Sequence, residues 1–460
     1  MGNKFVIIGA GSTHTPGIIG SLVEKADEIQ LTELCLHDID YERVYHMGEF
    51  SKIYMSERRN DIKTSWTTDL KEALSEADYV FIQIRPGRNE QRAIDEHTCY
   101  KHGLIGQETC GLGGFAFALR TIPAILEIVK TALEVCPQAW LLNYSNPEAM
   151  VSEAVYRTYP QAKMLCICDM PISIMDIFAP LAGLKRTDVE PRYFGLNHFG
   201  WFTHLYNKET GKDVLPVLLD KLKNGHCDDE LHYTDKNDDY WNFTFKHLEK
   251  MVQDYPYSLP NTYLQYYLYP NTMVNHIDPN YTRANEVIDG REKRVKEYCQ
   301  SIIDLHAIRG TQYDLDKKYA QESHDGIEQA TVAHNDAHAT YIVELAMSIA
   351  YNRKDTFLLM VKNNGIVNNL DDGMMLEVAC QVGNHGAEPF HVGDVPTFEK
   401  GLLEGQYAYE KLTVDATLEG SYQKALQALV VNRTVVDTDL ARKILDDYIS
   451  VNKDYFPKLK

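Results

Sequence analysis

The sequence predicts a protein of the α/β class, built on a doubly wound parallel sheet in its N-terminal part. Short runs rich in Val, Ile and Leu alternate there with longer stretches of helical period. A glycine-rich turn follows the first run directly, and several other runs end in an acid, an amide or a thiol. Because ligands of such sheets bind at the carboxyl ends of the strands, we expect the functional site at these run ends.

The first run, Phe5–Ile8, leads straight into the turn Gly9–Pro16, and a helical pattern follows over residues 17–24. Strand, glycine turn and helix together direct backbone N–H groups and a helix N-terminus at a pyrophosphate. The third glycine of the dinucleotide fingerprint is replaced by His14, so the motif is incomplete. The residues predicted to hold the cofactor at this turn are Gly9, Gly11, Ser12 and Thr13.

The second predicted strand, residues 34–38, ends in the acid Asp38. A carboxylate at this position can accept hydrogen bonds from the ribose hydroxyls of NAD and would repel the 2′-phosphate of NADP. The alternative for Asp38, and for Asp40 just beyond it, is a turn or helix-capping residue. We therefore predict NAD as the cofactor, with Asp38 at the ribose.

Three further strands are predicted at residues 77–84, 140–143 and 164–168, and a long amphipathic helix at 114–135. Their alternation gives a Rossmann-like sheet of the kind found in lactate and malate dehydrogenases. Asn143, at the end of the fourth strand, joins the residues predicted to bind the cofactor.

The loops after the third and fourth strands carry polar side chains suited to sugar hydroxyls or an anion. Arg92 belongs to a segment with three arginines, Gly106–Cys110 precedes the long helix, and Asn146 stands before a proline. Taken singly, such residues are more often surface charges and turn formers.

The fifth strand ends in Cys168 followed by Asp169. A thiol beside a carboxylate offers a soft metal ligand next to an acid or base. A buried strand cysteine and a helix-capping aspartate are the alternative, which the pair taken alone favours. Cys166, two residues earlier, is expected in the core.

In the second half, His198 lies in the glycine-flanked stretch Tyr193–Trp201. A histidine in apolar surroundings is usually a core residue, but the glycines are expected to let a ligand approach the backbone. With Cys168 it would make half a metal site, open to substrate oxygens and suited to Mn²⁺ or another divalent ion acting as a Lewis acid.

The remaining second-half signals are the tyrosine-rich stretch Leu259–Pro270, Arg283 as an anion or hydroxyl contact, and Arg291 as a weaker candidate. Residues 337–350 and most of 423–452 have a helical pattern, and 361–369 is expected to form a strand and a polar turn. We expect two domains, a Rossmann-like NAD-binding domain at 1–190 and a mixed α/β (α+β) catalytic domain that binds substrate and metal at 191–460.

The net charge of −20 argues against a nucleic-acid or membrane-surface partner, so an anionic substrate must be held by a local group of Arg or Lys. The nine cysteines show no disulfide framework, and the N-terminus enters a strand without a signal-peptide pattern. No apolar run is expected to approach the roughly 20 residues of a membrane span. These features predict a cytoplasmic protein.

The motifs together resemble one family, the NAD- and metal-dependent family 4 glycoside hydrolases, and most closely its 6-phospho-α-glucosidase branch. An aspartate directly after the metal cysteine resembles the sequence pattern of that branch, whereas other branches commonly have asparagine at this position. The motifs are Gly-Ala-Gly-Ser-Thr from Gly9, Gly-Gln-Glu-Thr-Cys-Gly from Gly106, Asn-Tyr-Ser-Asn-Pro from Asn143, Cys-Asp-Met-Pro from Cys168, Gly-Leu-Asn-His-Phe-Gly from Gly195, Pro-Asn-Thr-Tyr-Leu-Gln-Tyr-Tyr from Pro260 and Thr-Arg-Ala-Asn-Glu from Thr282.

The resemblance implies hydrolysis of a phosphorylated glucoside such as maltose 6′-phosphate, by transient oxidation at C3, removal of the C2 proton, loss of the leaving group and addition of water. It also implies assembly as a homodimer or homotetramer. It implies Cys168 and His198 as Mn²⁺ ligands, Asp169 as the acid for the leaving group, Tyr263 as the base at C2, and Asn146, Arg92 and Arg283 as contacts of the sugar or its phosphate.

Several alternatives remain open from the sequence. Within the family, the substrate could be a 6-phospho-β-glucoside or an unphosphorylated α-glucoside or α-galactoside. Outside it, a lactate/malate-type dehydrogenase fits the first half alone, although a Cys-His metal pair is foreign to that class. A non-catalytic sensor of NAD or a sugar phosphate would not need Tyr263 or Cys168.

Overall fold

The N-terminal part folds around a six-stranded parallel sheet in the order β3-β2-β1-β4-β5-β6. The computed structural model describes residues 2–224, 239–309 and 337–460. The strand order reverses between β1 and β4, which opens a crevice for ligands at the carboxyl ends of the strands. The strands are β1 Asn3–Ile8, β2 Leu31–His37, β3 Lys63–Thr67, β4 Tyr79–Ile82, β5 Trp140–Asn143 and β6 Met164–Cys166.

Seven helices cover the two faces of this sheet, as the α/β class requires. The predicted fold class is confirmed, and the five predicted strands are all present. The seven helices are α1 Thr15–Glu24, α2 Tyr41–Arg58, α3 Leu70–Leu74, α4 Arg88–Tyr100, α5 Leu112–Val135, α6 Glu148–Thr158 and α7 Met170–Phe178.

Helix α5 is longer and more apolar than the helix predicted over residues 114–135. Its 24 residues have a mean hydropathy of 1.6 in their most apolar window, enough by length and composition to cross a membrane. The expectation that no apolar run approaches that length was therefore wrong. In the structure, 78% of this window is buried within the protein, where a core helix packs against its sheet.

In its described residues, the second part contains two antiparallel three-stranded sheets, in the orders β7-β8-β9 and β10-β11-β12. The strand expected over 361–369 was placed too late, because β10 already ends at Lys362 and the next residues form a loop held by the Asn363 side chain. The strands are β7 Val189–Leu196, β8 Phe199–Asn207, β9 Leu259–Pro260, β10 Asp355–Lys362, β11 Met375–Gly383 and β12 Gly386–Pro389.

The helices of the second part surround these sheets and then return to the first sheet. The predicted helical stretches at 337–350 and 423–452 are confirmed. The helices described are α8 Leu215–Lys223, α9 Asp239–Asp254, α10 Gln265–Leu268, α11 Pro270–His276, α12 Arg283–Glu286, α13 Lys293–Arg309, α14 Ala337–Tyr351, α15 Thr397–Glu419, α16 Tyr422–Val431 and α17 Thr438–Val451.

The last three helices, α15 to α17, pack on the N-terminal unit. One buried cluster contains Phe115 and Leu119 of α5 together with Leu445 and Tyr448 of α17. The rings of Phe115 and Tyr448 lie 6.3 Å apart. The C-terminal helices therefore brace the face of the first sheet that carries α4 and α5.

All eight cysteines in the described part of the chain are free and buried, in agreement with the predicted absence of a disulfide framework. Cys166 is among the core residues, as expected. Cys227 lies outside the described residues.

Candidate active site

A cleft of about 1950 Å³ opens at the carboxyl ends of the parallel strands, with walls from both halves of the chain. Eleven of the predicted site residues line it, whereas Gly11 and Asn143 do not. The eleven are Gly9, Ser12, Thr13, Asp38, Arg92, Asn146, Cys168, Asp169, His198, Tyr263 and Arg283.

The turn after β1 is shaped by two glycines that neighbouring atoms leave no room to replace. Gly9 has a φ of +80°, and a Cβ there would lie 2.5 Å from the carbonyl oxygen of Gln83. A Cβ at Gly11 would lie 2.9 Å from Oδ2 of Asp38, which accepts a hydrogen bond from the Gly11 N–H at 2.9 Å. Gly11 thus holds the turn against Asp38 and does not itself face the cleft.

Asp38 is fixed at the end of β2 and lines the cleft. Its Oδ1 accepts the backbone N–H of Asp40 at 3.0 Å, while Oδ2 accepts Gly11 N–H. Asp40 instead caps α2, because its carboxylate accepts the backbone N–H of Arg43 at 3.2 Å. The two neighbouring acids therefore differ: Asp40 is the capping residue, and Asp38 is the one held beside the dinucleotide turn.

Asn143 and Asn146 end the fourth predicted strand in different ways. Asn143 is fully buried, and its amide donates to the Ser145 carbonyl at 3.1 Å and accepts the Ser145 N–H at 3.0 Å. Asn146 lines the cleft, and its buried Oδ1 has no hydrogen-bond partner among the described residues. A buried oxygen without a partner is costly unless a ligand satisfies it, so Asn146 fits a substrate contact and Asn143 shapes the strand end.

Cys168 and His198 meet in the centre of the cleft. The Cys168 Sγ lies 3.2 Å from the His198 Nε2, and the other ring nitrogen, Nδ1, lies 2.9 Å from the Thr109 hydroxyl. That hydroxyl donates to the Gln107 side-chain oxygen at 3.0 Å, so it accepts from Nδ1–H. Burial lowers the pKa of His198 to about 4. The imidazole is therefore neutral, with Nε2 free to bind a metal.

The pair fits a divalent metal that takes its remaining ligands from elsewhere. Within residues 2–224, 239–309 and 337–460, no group of three or more His, Cys, Asp and Glu side chains is placed to hold an ion. Two protein ligands with open positions suit a Lewis acid that also binds substrate oxygens, rather than a closed structural site.

The glycines around His198 have a different structural role from the one expected. Gly195 in β7 pairs with Gly200 in β8, and a Cβ on Gly195 would lie 2.3 Å from the Gly200 Cα. The close approach is thus between two strands of a tight hairpin, and the expectation that these glycines admit a ligand was wrong. His198, with a φ of +62°, lies at the tip of this hairpin and is directed toward Cys168.

Asp169 and Tyr263 flank the Cys168–His198 pair. Asp169 is the N-cap position of α7 and lines the cleft. The Tyr263 ring lies edge-on to the His198 ring, 4.3 Å away between centroids. Burial raises the pKa of Tyr263 well above its ordinary value, and the nearby Tyr240 and Glu108 raise it further. A tyrosine base here needs a cation beside it, which a metal on His198 and Cys168 would supply.

The predicted arginine contacts are already paired within the protein. Arg92 binds Glu96 at 2.7 Å and Glu108 at 3.2 Å, and Glu108 also pairs with Arg85. Arg283 binds Glu286 at 2.7 Å and lies over the Tyr240 ring at 4.7 Å. Both arginines line the cleft. Their charges are thus partly balanced by neighbouring carboxylates.

Two carboxylates in the cleft wall, the half-buried Glu108 and the buried Glu148, were missed by sequence reasoning. Glu108 belongs to the motif from Gly106 and carries the charge that pairs two arginines. Glu148, on the first turn of α6, is 1% exposed with one oxygen lacking a hydrogen bond among the described residues. Burial raises its pKa well above the ordinary value, and Glu377 and Asp169 raise it further. In the sequence, Glu148 is an ordinary acid at a helix start.

The Glu108 charge should make part of the stability acid-sensitive. Burial alone would raise its pKa, but Arg85 and Arg92 outweigh burial and lower the pKa to about 2. A carboxylate with a depressed pKa stabilises the fold above its unfolded pKa and loses that contribution as pH falls toward its folded value. We expect Glu108→Gln to be less stable than wild type at pH 6, with a smaller further loss between pH 5 and pH 3. Urea unfolding at each pH measures the free energy of unfolding. The same dependence of that free energy on pH in both proteins would contradict the prediction.

Comparison with known proteins agrees with this geometry. The Family 4 glycosyl hydrolase model matches residues 4–184, and the Family 4 glycosyl hydrolase C-terminal domain matches 193–435. A phospho-alpha-glucosidase of Clostridium acetobutylicum is 48% identical over 456 residues, covering 98% of each chain.

Two solved structures of 6-phospho-alpha-glucosidases from gut microorganisms are similar over the whole length of both chains. One, in complex with NAD and Mn²⁺, has a TM-score of 0.90 at 41% identity. The other, in complex with NAD and glucose-6-phosphate, has a TM-score of 0.89 at 37% identity.

A dinucleotide turn and a Cys-His pair in one cleft define an enzyme of the NAD- and metal-dependent type. The chain belongs to family 4 of the glycosyl hydrolases.

Proposed function

We propose that this protein hydrolyses 6-phospho-α-glucosides, such as maltose 6′-phosphate, with NAD and Mn²⁺ or another divalent ion as cofactors. The observation that carries the proposal is the Cys168 Sγ at 3.2 Å from the His198 Nε2, in the cleft that Asp38 and the Gly9 turn also line. The names of the similar proteins support the α-linked, phosphorylated substrate.

The residues present fit both cofactors. The Gly9 turn and Asp38, at the ends of adjacent strands, both line the cleft and suit a dinucleotide. Cys168 and the neutral His198 offer one sulfur and one nitrogen to a metal. When bound, these cofactors supply reversible oxidation at C3 of the sugar and stabilisation of the negative charge that develops at O2 and O3.

The chain's own residues divide the remaining work. Tyr263, in ring contact with His198, is the base that removes the C2 proton once a cation lowers its pKa. Asp169, the residue after the metal cysteine, gives a proton to the leaving oxygen. Asn146, whose Oδ1 has no partner within the described ranges, contacts a sugar hydroxyl, and Arg92 and Arg283 hold the sugar or its phosphate.

Further expectations belong with this proposal. We propose a cytoplasmic enzyme that assembles as a homodimer or homotetramer. We also propose a domain boundary near residue 190, at the start of β7. The arginines that line the cleft favour a phosphorylated substrate.

The test is an assay of α- and β-linked nitrophenyl glucosides with and without the 6-phosphate, adding NAD⁺, Mn²⁺ and chelator in turn, in D₂O. We expect cleavage of the α-linked phosphorylated substrate only with both cofactors, deuterium at C2 of the product and no accumulation of NADH. Cleavage by protein freed of NAD would contradict the mechanism. Steady formation of NADH would instead favour a dehydrogenase.

A further inference from the structure

The cleft extends past Asp169 along one face of α7. Asp169, Ser173, Asp176 and Ile177 all line it, at helical spacings that place them on the same side. Seven residues of helix correspond to about 11 Å, more than the length of one sugar ring. This wall belongs to the cleft but lies beyond the groups that act on the reacting sugar.

The start of α9 completes this part of the cleft. Trp241 and Phe245, one helical turn apart, both line it, and their ring centroids lie 6.0 Å apart. Phe245 also contacts Phe178 at the end of α7, with centroids 6.3 Å apart. The aromatic pair is thus anchored to α7, and Trp241 offers a half-buried indole to the cleft.

The charge along α7 disfavours binding of the substrate's phosphate there. Among the described residues of α7 and α9 that line the cleft there is no lysine or arginine, and Asp176 is acidic. Arg186 lies beside Asp176, and its guanidinium pairs with the Asp176 carboxylate at 3.0 Å. The cleft arginines belong to other segments, and one of them, Arg283, lies over Tyr240, the α9 residue before Trp241, at 4.7 Å. A phosphate would therefore bind at those arginines rather than along α7, where Asp176 would repel it.

We infer that α7 and the start of α9 form the subsite for the leaving group, with Trp241 as the surface on which a neutral sugar ring stacks. This rests on the proposed function, in which Asp169 protonates the leaving oxygen and the group it carries must extend away from the metal pair. An aromatic face with a hydroxyl and a carboxylate beside it suits a ring with apolar C–H faces and hydroxyl edges. Ser173 and the remaining oxygen of Asp176 supply those polar contacts.

The test compares two substrates that share the 6-phosphoglucosyl unit and differ in the leaving group: maltose 6′-phosphate releases glucose, and methyl 6-phospho-α-glucoside releases methanol. In Trp241→Ala, we expect kcat/KM for the disaccharide to fall about tenfold more than for the methyl glucoside, mainly through KM. The inhibition constant for glucose as a product should rise in parallel. Tyr257→Ala, an exposed aromatic outside the cleft, is the control and should change neither substrate.

The outcomes separate the inference from the function on which it rests. If wild-type protein cleaves neither substrate, the proposed function fails. If Trp241→Ala lowers both substrates by the same factor, the function stands and the leaving-group subsite is wrong. Should Trp241→Ala fail to fold, Ser173→Ala carries the same comparison, since it removes only a hydroxyl from the helix surface, and an unchanged substrate ratio there overturns the inference.

Discussion

Cys168→Ser is expected to lower Mn²⁺-dependent turnover at least about 100-fold, because it removes a direct ligand where loss of a supporting contact already costs 10- to 100-fold. A serine hydroxyl in this buried position stays protonated and binds a divalent ion weakly. The fold should remain intact, since the change replaces one sulfur by a smaller oxygen and the backbone of α7 begins normally at Met170. Turnover measured over a Mn²⁺ titration, with circular dichroism for the fold, gives the result.

Cys166→Ser is the matched control for this variant. Cys166 is buried two residues earlier in the same segment, and its sulfur lies 3.6 Å from the Asn143 amide nitrogen, outside the cleft. The control should keep the Mn²⁺ dependence of wild type. NAD binding should survive in both variants, because the Gly9 turn and Asp38 are untouched. Full activity of Cys168→Ser with an unchanged metal requirement would remove Cys168 as a ligand.

The parts of the fold that the sequence predicted depend on local signals. The strand–turn–helix at Gly9 combines an apolar run, a glycine with φ of +80° and a helical period within 25 residues. By contrast, β3 was missed because none of its five residues is buried and it has no apolar run. An edge strand of this kind is recognised only when its neighbour β2 is in place to pair with it.

The site was predicted less evenly than the fold. Cys168 and His198 stand out as residue types with metal chemistry at a strand end and a hairpin, and the structure brings their side chains together. Arg92 was foreseen as a cation for the substrate, but its two carboxylate partners were not. Glu96 is one helical turn away, which sequence spacing allows, whereas Glu108 comes from a separate loop. Charge pairing between loops depends on how the elements pack, and residue order does not give it.

A buried long-range contact joins α5 to the segment that follows α17. The Arg120 guanidinium donates to Asp95 at 2.6 Å, to the side-chain oxygen of Asn452 at 2.6 Å and to the carbonyl of Pro86 at 3.2 Å. Asn452, which follows α17, also donates to Asp95 at 3.1 Å. Through Arg120 and Asp95, these bonds tie Asn452 to α4, the helix that carries Arg92, and to the loop before α4. Asn452 lies beyond the residues matched by either family model.

Arg120→Met is therefore expected to lower the free energy of unfolding by about 3–5 kcal/mol, the usual cost of breaking a buried ion pair by removing one partner. The Arg120 and Asp95 side chains are only 2% and 4% exposed. Without Arg120, the Asp95 carboxylate would therefore be buried with no opposite charge beside it. Burial already raises the pKa of Asp95, with Arg120 opposing that rise. Thermal and urea unfolding of the variant measure the loss.

Two controls identify the cause of that loss. Lys71→Met removes an exposed ion pair with Glu134 at 3.1 Å and should cost less than about 1 kcal/mol. The double variant Arg120→Met with Asp95→Asn removes the stranded charge, so it should be more stable than Arg120→Met alone. If the double variant is instead less stable by the sum of both single losses, the two residues act independently. The unpaired Asp95 charge would then not be the cause of the loss in Arg120→Met.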